Sequence, residues 1–176
     1  MDLLSGLSDI LPEDRVLTGG EELERHGRAF FTYHTPHPPD AVVFPKCRDE
    51  VVQVRRFANE LGIPVVPFGQ VSSLEEHTIP RQGGTSLDIR LMGEILNIHP
   101  GDFVARVEPG VTHGKLNANL EEHGLFFQVD LGWDASLGGM ATTKASALTR
   151  RNTRRRNTVT RCSSCVGQRS SPTRTG

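Results

Sequence analysis

Two short apolar runs separated by one amphipathic helix constrain this chain more than any other feature. Ala41-Val42-Val43-Phe44 is closed by Pro45, and Pro64 leads into Val65-Val66-Pro67-Phe68. Between them Val51, Val54, Phe57, Ala58 and Leu61 recur at helical spacing, which puts them on one face of a helix. Asp49 is placed to cap that helix and Gly62 to stop it. Strand, helix, strand predicts a βαβ unit and a parallel pair. The loop that follows is Phe68-Gly69-Gln70-Val71-Ser72-Ser73-Leu74-Glu75-Glu76-His77. Open parallel sheets place ligands at this end of a strand. Gly69, Ser72 and Ser73 can offer backbone N–H groups and hydroxyls to a diphosphate. On spacing alone a solvated connecting loop is the better reading.

Beyond the loop the rhythm changes. Ser86-Leu87-Asp88-Ile89, Ile95-Leu96-Asn97-Ile98 and Val104-Ala105-Arg106-Val107-Glu108 alternate apolar with polar, separated by turns at Gly93 and Pro100-Gly101. Alternation with tight turns predicts antiparallel strands with one wet face. Thr112 can cap a helix carrying Leu116 and Leu120, stopped at Gly124. Phe126-Phe127 then leads into a backbone-rich stretch with Gly132, Gly138 and Gly139. Residues 1–40 read as helix and loop, drawn out at the end by Pro36, Pro38 and Pro39. The fold class is therefore α+β, a small parallel part followed by an antiparallel sheet with helices.

Composition narrows the setting. At 176 residues, with 36% apolar and 23% charged, the chain reads as one globular domain rather than a disordered segment. No run approaches the roughly 20 apolar residues of a membrane helix. Met1-Asp2-Leu3-Leu4-Ser5 lacks the basic flank and apolar run of a signal peptide. Cys47, Cys162 and Cys165 cannot all pair, which favours a reducing compartment, the cytoplasm by default. The net charge of −1 is split: residues 1–147 carry −9, and the last 29 carry eight arginines and no acid. So abrupt a change marks a separate segment at 147–176.

The loop and its surroundings together resemble the FAD-linked oxidases of the vanillyl-alcohol oxidase type, in the branch acting on D-lactate and glycolate. That branch reads Pro-Phe-Gly-x-Gly-Thr-Ser-Leu-Glu-Gly-His at the pyrophosphate loop. Here Pro67, Phe68, Gly69, Ser73, Leu74, Glu75 and His77 match. Upstream the likeness includes Leu11-Pro12-Glu13-Asp14-Arg15-Val16 and Pro39-Asp40-Ala41-Val42-Val43-Phe44-Pro45. Downstream it takes in Gly83-Gly84, Val107-Glu108-Pro109-Gly110-Val111-Thr112 and Ser136-Leu137-Gly138-Gly139-Met140-Ala141. It thus spans residues 10–146 almost continuously.

The resemblance implies an FAD-binding domain of two α/β subdomains, incomplete at its C-terminus: a leading segment 1–38, a partial FAD domain 39–146, and the basic tail 147–176. It implies cofactor contacts from Pro67, Phe68, Gly69, Gln70, Val71, Ser72, Ser73, Leu74 and His77. From the second half it adds Asp130, Gly132, Ser136, Gly138, Gly139, Thr143 and Ser146. His77 reads as a structural or cofactor-side hydrogen bonder, and Asp130 and Asp134 as positioning residues or turn caps. The implied reaction oxidises a small D-2-hydroxy acid to its keto acid, with FAD receiving the hydride. The family's substrate half, with its catalytic histidine and metal ligands, has no counterpart in these residues, so neither a catalytic residue nor a metal ligand is assigned.

Three positions depart from the family pattern. Val71 and Glu76 stand where it has glycine, and Leu131 where it has proline. A β-branched residue resists positive φ, and Glu76 adds negative charge beside two phosphates, so weakened flavin binding is expected. In the tail, Arg150-Arg151-Asn152-Thr153-Arg154-Arg155-Arg156 also fits a nucleic-acid patch, and Cys162-Ser163-Ser164-Cys165 a redox or half-zinc motif. A shifted reading frame accounts for more. The family's Gly-Thr-Asn-Ala, read one base late, can give Ala-Leu-Thr-Arg, which is Ala147-Leu148-Thr149-Arg150 here. Likewise, Arg161-Cys162-Ser163-Ser164-Cys165 is compatible with a shifted strand-like Leu-Gln-Leu-Val. The competing reading is non-enzymatic: a degenerate or truncated product binding no flavin, or a small basic-tailed module.

Overall fold

The computed structural model describes residues 2–29, 35–129 and 132–145, and the backbone of 161–162. Two sheets carry two cores. The first sheet runs β1 (Val16–Leu17), β2 (Ala41–Val43), β4 (Thr85–Asp88), β3 (Val65–Phe68). In it β1 is antiparallel to β2, while β2, β4 and β3 are mutually parallel. One face packs on α1 (Leu3–Ile10) and α3 (Arg48–Glu60), where Leu7, Leu11, Val43, Val54 and Leu87 form a buried cluster. The short helix α2 (Glu21–His26) contributes a fully buried His26.

The βαβ unit forms as the apolar runs predict, with one difference. β2 and β3 are not neighbours, because β4 inserts between them. Ser86, Leu87 and Asp88, expected with Ile89 to begin the antiparallel part with a wet face, instead belong to the central parallel strand Thr85–Asp88, buried at all four positions. The polar residues that suggested solvent point into protein, and Asp88 there is bonded to His26 and paired with Arg90. Asp49 also does not cap α3: the N-cap is Cys47, which makes no side-chain cap bond, and Asp49 lies in the first turn. Gly62 and Gly124 end their helices at φ +67° and +65°, the left-handed conformation that glycine adopts without a Cβ penalty.

The second sheet pairs β5 (Ile95–His99) antiparallel with β6 (Val104–Val107), with an irregularity between Ile95 and Asn97. The two-residue β7 (Arg161–Cys162) joins β6 in parallel. Behind this sheet lie α4 (His113–Glu121) and α5 (Leu137–Thr142), closing a core of Val107, Val111, Leu116, Leu120, Leu137 and Met140. Thr112 caps α4 as expected, its hydroxyl accepting from Lys115 N. The arginine run and the Cys162-to-Cys165 motif lie outside the described residues, apart from the Arg161–Cys162 backbone. No described helix is long and apolar enough to cross a membrane.

Candidate functional site

The glycine turns at positions 69 and 138–139 come together where the two cores meet. A cavity of about 410 Å³ lies between the loop after β3 and the start of α5. It is lined by Pro67, Phe68, Gly69, Gln70, Val71, Ser72, Ser73 and His77 from the loop side, and by Ser136, Gly138, Gly139 and Thr143 from α5. A Cβ on Gly69 would come within 2.6 Å of Ser136 Oγ. One on Gly138 would meet Pro109 Cβ at 2.7 Å and its carbonyl oxygen at 2.8 Å. Real Cβ atoms do not approach so closely: Gly69 lets the loop lie against the Ser136 hydroxyl, and Gly138 lets α5 lie against Pro109.

The remaining expected residues fall elsewhere. Leu74 is 68% exposed and lines a neighbouring cavity of about 560 Å³, on the other side of residues 70–73, with Glu22, Arg25, Arg28, Phe68 and Trp133. Gly132 turns at φ +75° and is absent from the lining of both cavities. Asp130 and Ser146 lie outside the described residues. Lining the first cavity but not anticipated as contacts are Glu76, Thr78, Ile89, Pro109, Ala135, Met140 and Thr142. Most are apolar or bonded to their own helix, as Thr142 Oγ1 is to Gly138 O and Gly139 O, so no motif marks them.

The donors available to a ligand are mostly backbone. Among the described residues the N–H groups of residues 70–74 make no hydrogen bond; the local closure is Glu75 N donating to Ser73 Oγ at 3.3 Å. In α5, Leu137 N and Gly138 N are already taken by Val111 O and Pro109 O, while Gly139 N has no bond to a described residue. No lysine or arginine lines this cavity. Loop amides without a partner among the described residues, beside a concave surface, are groups that can receive an anion. The residues present therefore fit a diphosphate bound through main chain and hydroxyls, without a cationic side chain.

Beneath the loop lies an ionic network that sequence reasoning missed. Fully buried His26 stacks on Phe68, ring centroids 3.8 Å apart. Its Nδ1 lies 2.7 Å from Glu22 O and its Nε2 2.9 Å from Asp88 Oδ2. Arg90 donates from its backbone N to Asp88 Oδ1 and from Nε to Oδ2, each at 2.8 Å, and its guanidinium also reaches Glu22. Burial pushes the Asp88 carboxyl up, but hydrogen bonds from His26 and Arg90 outweigh it and hold the group below the usual range. Glu22, His26 and Asp88 bring three ligand-type atoms together. Arg90 already supplies the positive charge, which makes this an ion-pair network rather than a cation site. The pin fixes Phe68, the residue before the glycine of the loop.

A family model described as "FAD binding domain" matches residues 39–162. Over 146 residues the chain is 40% identical to the mitochondrial D-lactate dehydrogenase (cytochrome) of Arabidopsis thaliana, covering 82% of this chain and 26% of that protein. A probable mitochondrial D-lactate dehydrogenase of Danio rerio is 39% identical over 144 residues, 82% of this chain and 29% of its own. Glycolate oxidase subunit GlcD of Bacillus subtilis is 34% identical over 108 residues, 59% of this chain and 23% of its own. Among solved structures, alkyldihydroxyacetonephosphate synthase superposes with TM-score 0.75 at 20% identity, over 82% of this chain and 29% of that one. The chain belongs to the FAD-binding domain family, and it is related within that family to D-lactate dehydrogenase and glycolate oxidase. It spans between a quarter and a third of the length of the first two relatives.

Proposed function

We propose that this chain binds FAD, with the diphosphate between residues 69–73 and the first turn of α5, as part of an oxidoreductase acting on a small D-2-hydroxy acid. One observation carries the reading: two glycine turns far apart in sequence meet around a cavity whose loop amides are unpaired. Bound FAD would supply a hydride acceptor for the carbon bearing the substrate hydroxyl. This chain's own residues bind and orient. Loop amides and the hydroxyls of Ser72, Ser73 and Ser136 take the phosphate oxygens, and the His26–Asp88 pin fixes the strand from which the loop springs.

The D-2-hydroxy acid comes from the names of the relatives, D-lactate dehydrogenase and glycolate oxidase. The test is reconstitution of the purified full chain with FAD. Retained flavin absorbance after gel filtration and a change in flavin fluorescence support the reading. A colourless protein that leaves FAD fluorescence unchanged at millimolar cofactor overturns it. If the holoprotein forms, bleaching of the flavin band by D-lactate or glycolate, and not by the L-enantiomer of lactate, tests the substrate. The cytoplasmic placement expected from cysteine usage stands as a proposal beside the mitochondrial names of two relatives, and cell fractionation separates the two.

A further inference from the structure

Val71 sits at φ +53° and Glu76 at φ +52°, the two positions where the family pattern has glycine. Side chains stand here on a backbone conformation that favours glycine. For an L-residue this conformation crowds Cβ against the neighbouring carbonyl oxygen, and for a β-branched residue it is a genuine outlier. Such strain persists only where the surroundings over-determine it.

The surroundings of these two residues differ. Glu76 precedes a buried turn: Ile79 N donates to Glu76 O at 3.2 Å, and Thr78 and Ile79 are 7% and 5% exposed. Val71 lies in a stretch whose amides, from residue 70 to 74, bond to no described residue. No hydrogen bond to a described residue holds it in the left-handed region.

We propose that Val71 sets cofactor affinity by making the phosphate-binding form of loop 70–74 a minor conformer, which the diphosphate must select. The inference rests on the diphosphate site proposed above. A ligand that binds only a fraction of molecules has its affinity reduced by that fraction. Glycine populates positive φ about as readily as negative, so Val71→Gly enlarges the competent fraction. Val71→Ala keeps the Cβ and with it the penalty, while removing the bulk of the side chain.

The test titrates the full-length wild type, Val71→Gly and Val71→Ala with FAD by fluorescence, and with ADP by calorimetry to isolate the diphosphate end. Val71→Gly is expected to bind both roughly tenfold more tightly than wild type, Val71→Ala to stay near wild type, and the melting temperatures without ligand to differ little. Equal tightening by alanine and glycine overturns the proposal in favour of side-chain bulk. A higher melting temperature for Val71→Gly with unchanged affinity also overturns it, because the strain would then weigh on folding. Binding by wild type with no gain in Val71→Gly sinks this inference alone. No binding of FAD or ADP by any variant sinks the FAD reading and this inference with it.

Discussion

On the α5 side of the cavity, Leu137 N and Gly138 N each donate at 2.8 Å to carbonyls of the segment after β6, and Gly138 packs against Pro109 with no room for a Cβ. On the loop side, residues 70–74 donate to nothing among the described residues, and order comes from below, through Phe68 stacked on His26 and His26 bonded to Asp88. One wall is tied by hydrogen bonds and close packing and keeps the family's glycines. The other is tied at its root, makes no amide hydrogen bond to a described residue at 70–74, and carries Val71 and Glu76 at positive φ where the family pattern has glycine. Substitution tolerance should follow that division, being lowest at the pin and the helix joint and highest at the tip.

The largest effect is expected at the pin. Asp88→Ala removes the carboxylate that faces both His26 Nε2 and Arg90 Nε, leaving the buried His26 Nε2 without its partner while Arg90 keeps Glu22. Breaking a buried pair from one side typically costs about 3–5 kcal/mol, measurable as a loss of thermal and denaturant stability. A cost near that of a surface substitution would mean the network contributes little, and the loop would have no fixed root.

Acid should dissolve the same region. Asp88 and Glu50 are both held below their ordinary values of 3.8 and 4.5, Glu50 chiefly by the two hydrogen bonds from Arg15 at 2.6 and 2.8 Å. A depressed folded-state pKa means the folded state binds protons less readily than the unfolded chain. The stabilisation is therefore complete above the ordinary values and is lost as pH falls through the lower folded ones. The contribution of these two carboxylates should be lost below about pH 4.5, with a shallower acid limb in Asp88→Asn. An unchanged limb would assign the acid sensitivity to other carboxylates.

What was legible beforehand follows the same division between local and distant causes. The α3 stripe, the Thr112 cap and the stops at Gly62 and Gly124 each depend on neighbours within a turn or two, so sequence reasoning reaches them. The character of β4 depends on partners far away. Ser86 and Asp88 look like a wet face, yet both are buried, and the partner of Asp88 is His26, 62 residues earlier. The meeting of Gly69 with the Ser136 turn likewise has no local signature, and it was anticipated only through resemblance to a family. His26 itself, a single histidine ending a six-residue helix, carries no mark of its role.

The helix joint ranks next. Gly138→Ala forces a Cβ onto backbone, Pro109 O at 2.8 Å, whereas the Cβ of Gly69→Ala would meet Ser136 Oγ, the end of a side chain that can rotate away. Overpacking against backbone is expected to cost about 1–3 kcal/mol, and the Gly69 change less than about 1 kcal/mol when the hydroxyl moves aside. Paired melts check this directly. Equal losses would show that Ser136 is as fixed as the backbone and that the two walls are equally stiff at their junction.

The smallest effect is expected at Glu76, and its sign is the informative part. Its left-handed conformation is held by a hydrogen-bonded, buried turn, so its strain falls on folding rather than on ligand affinity, the reverse of Val71. Relief of the left-handed penalty in Glu76→Gly is partly offset by the greater freedom of glycine in the unfolded chain, leaving a net gain of about 0.5–1 kcal/mol. Glu76→Ala removes the carboxylate but keeps the Cβ, so it should show no gain in stability. If alanine stabilises as much as glycine, the charge rather than the backbone is the burden at this position. If neither does, the contacts Glu76 makes already compensate its angle, and the loop's second lost glycine has cost the fold nothing.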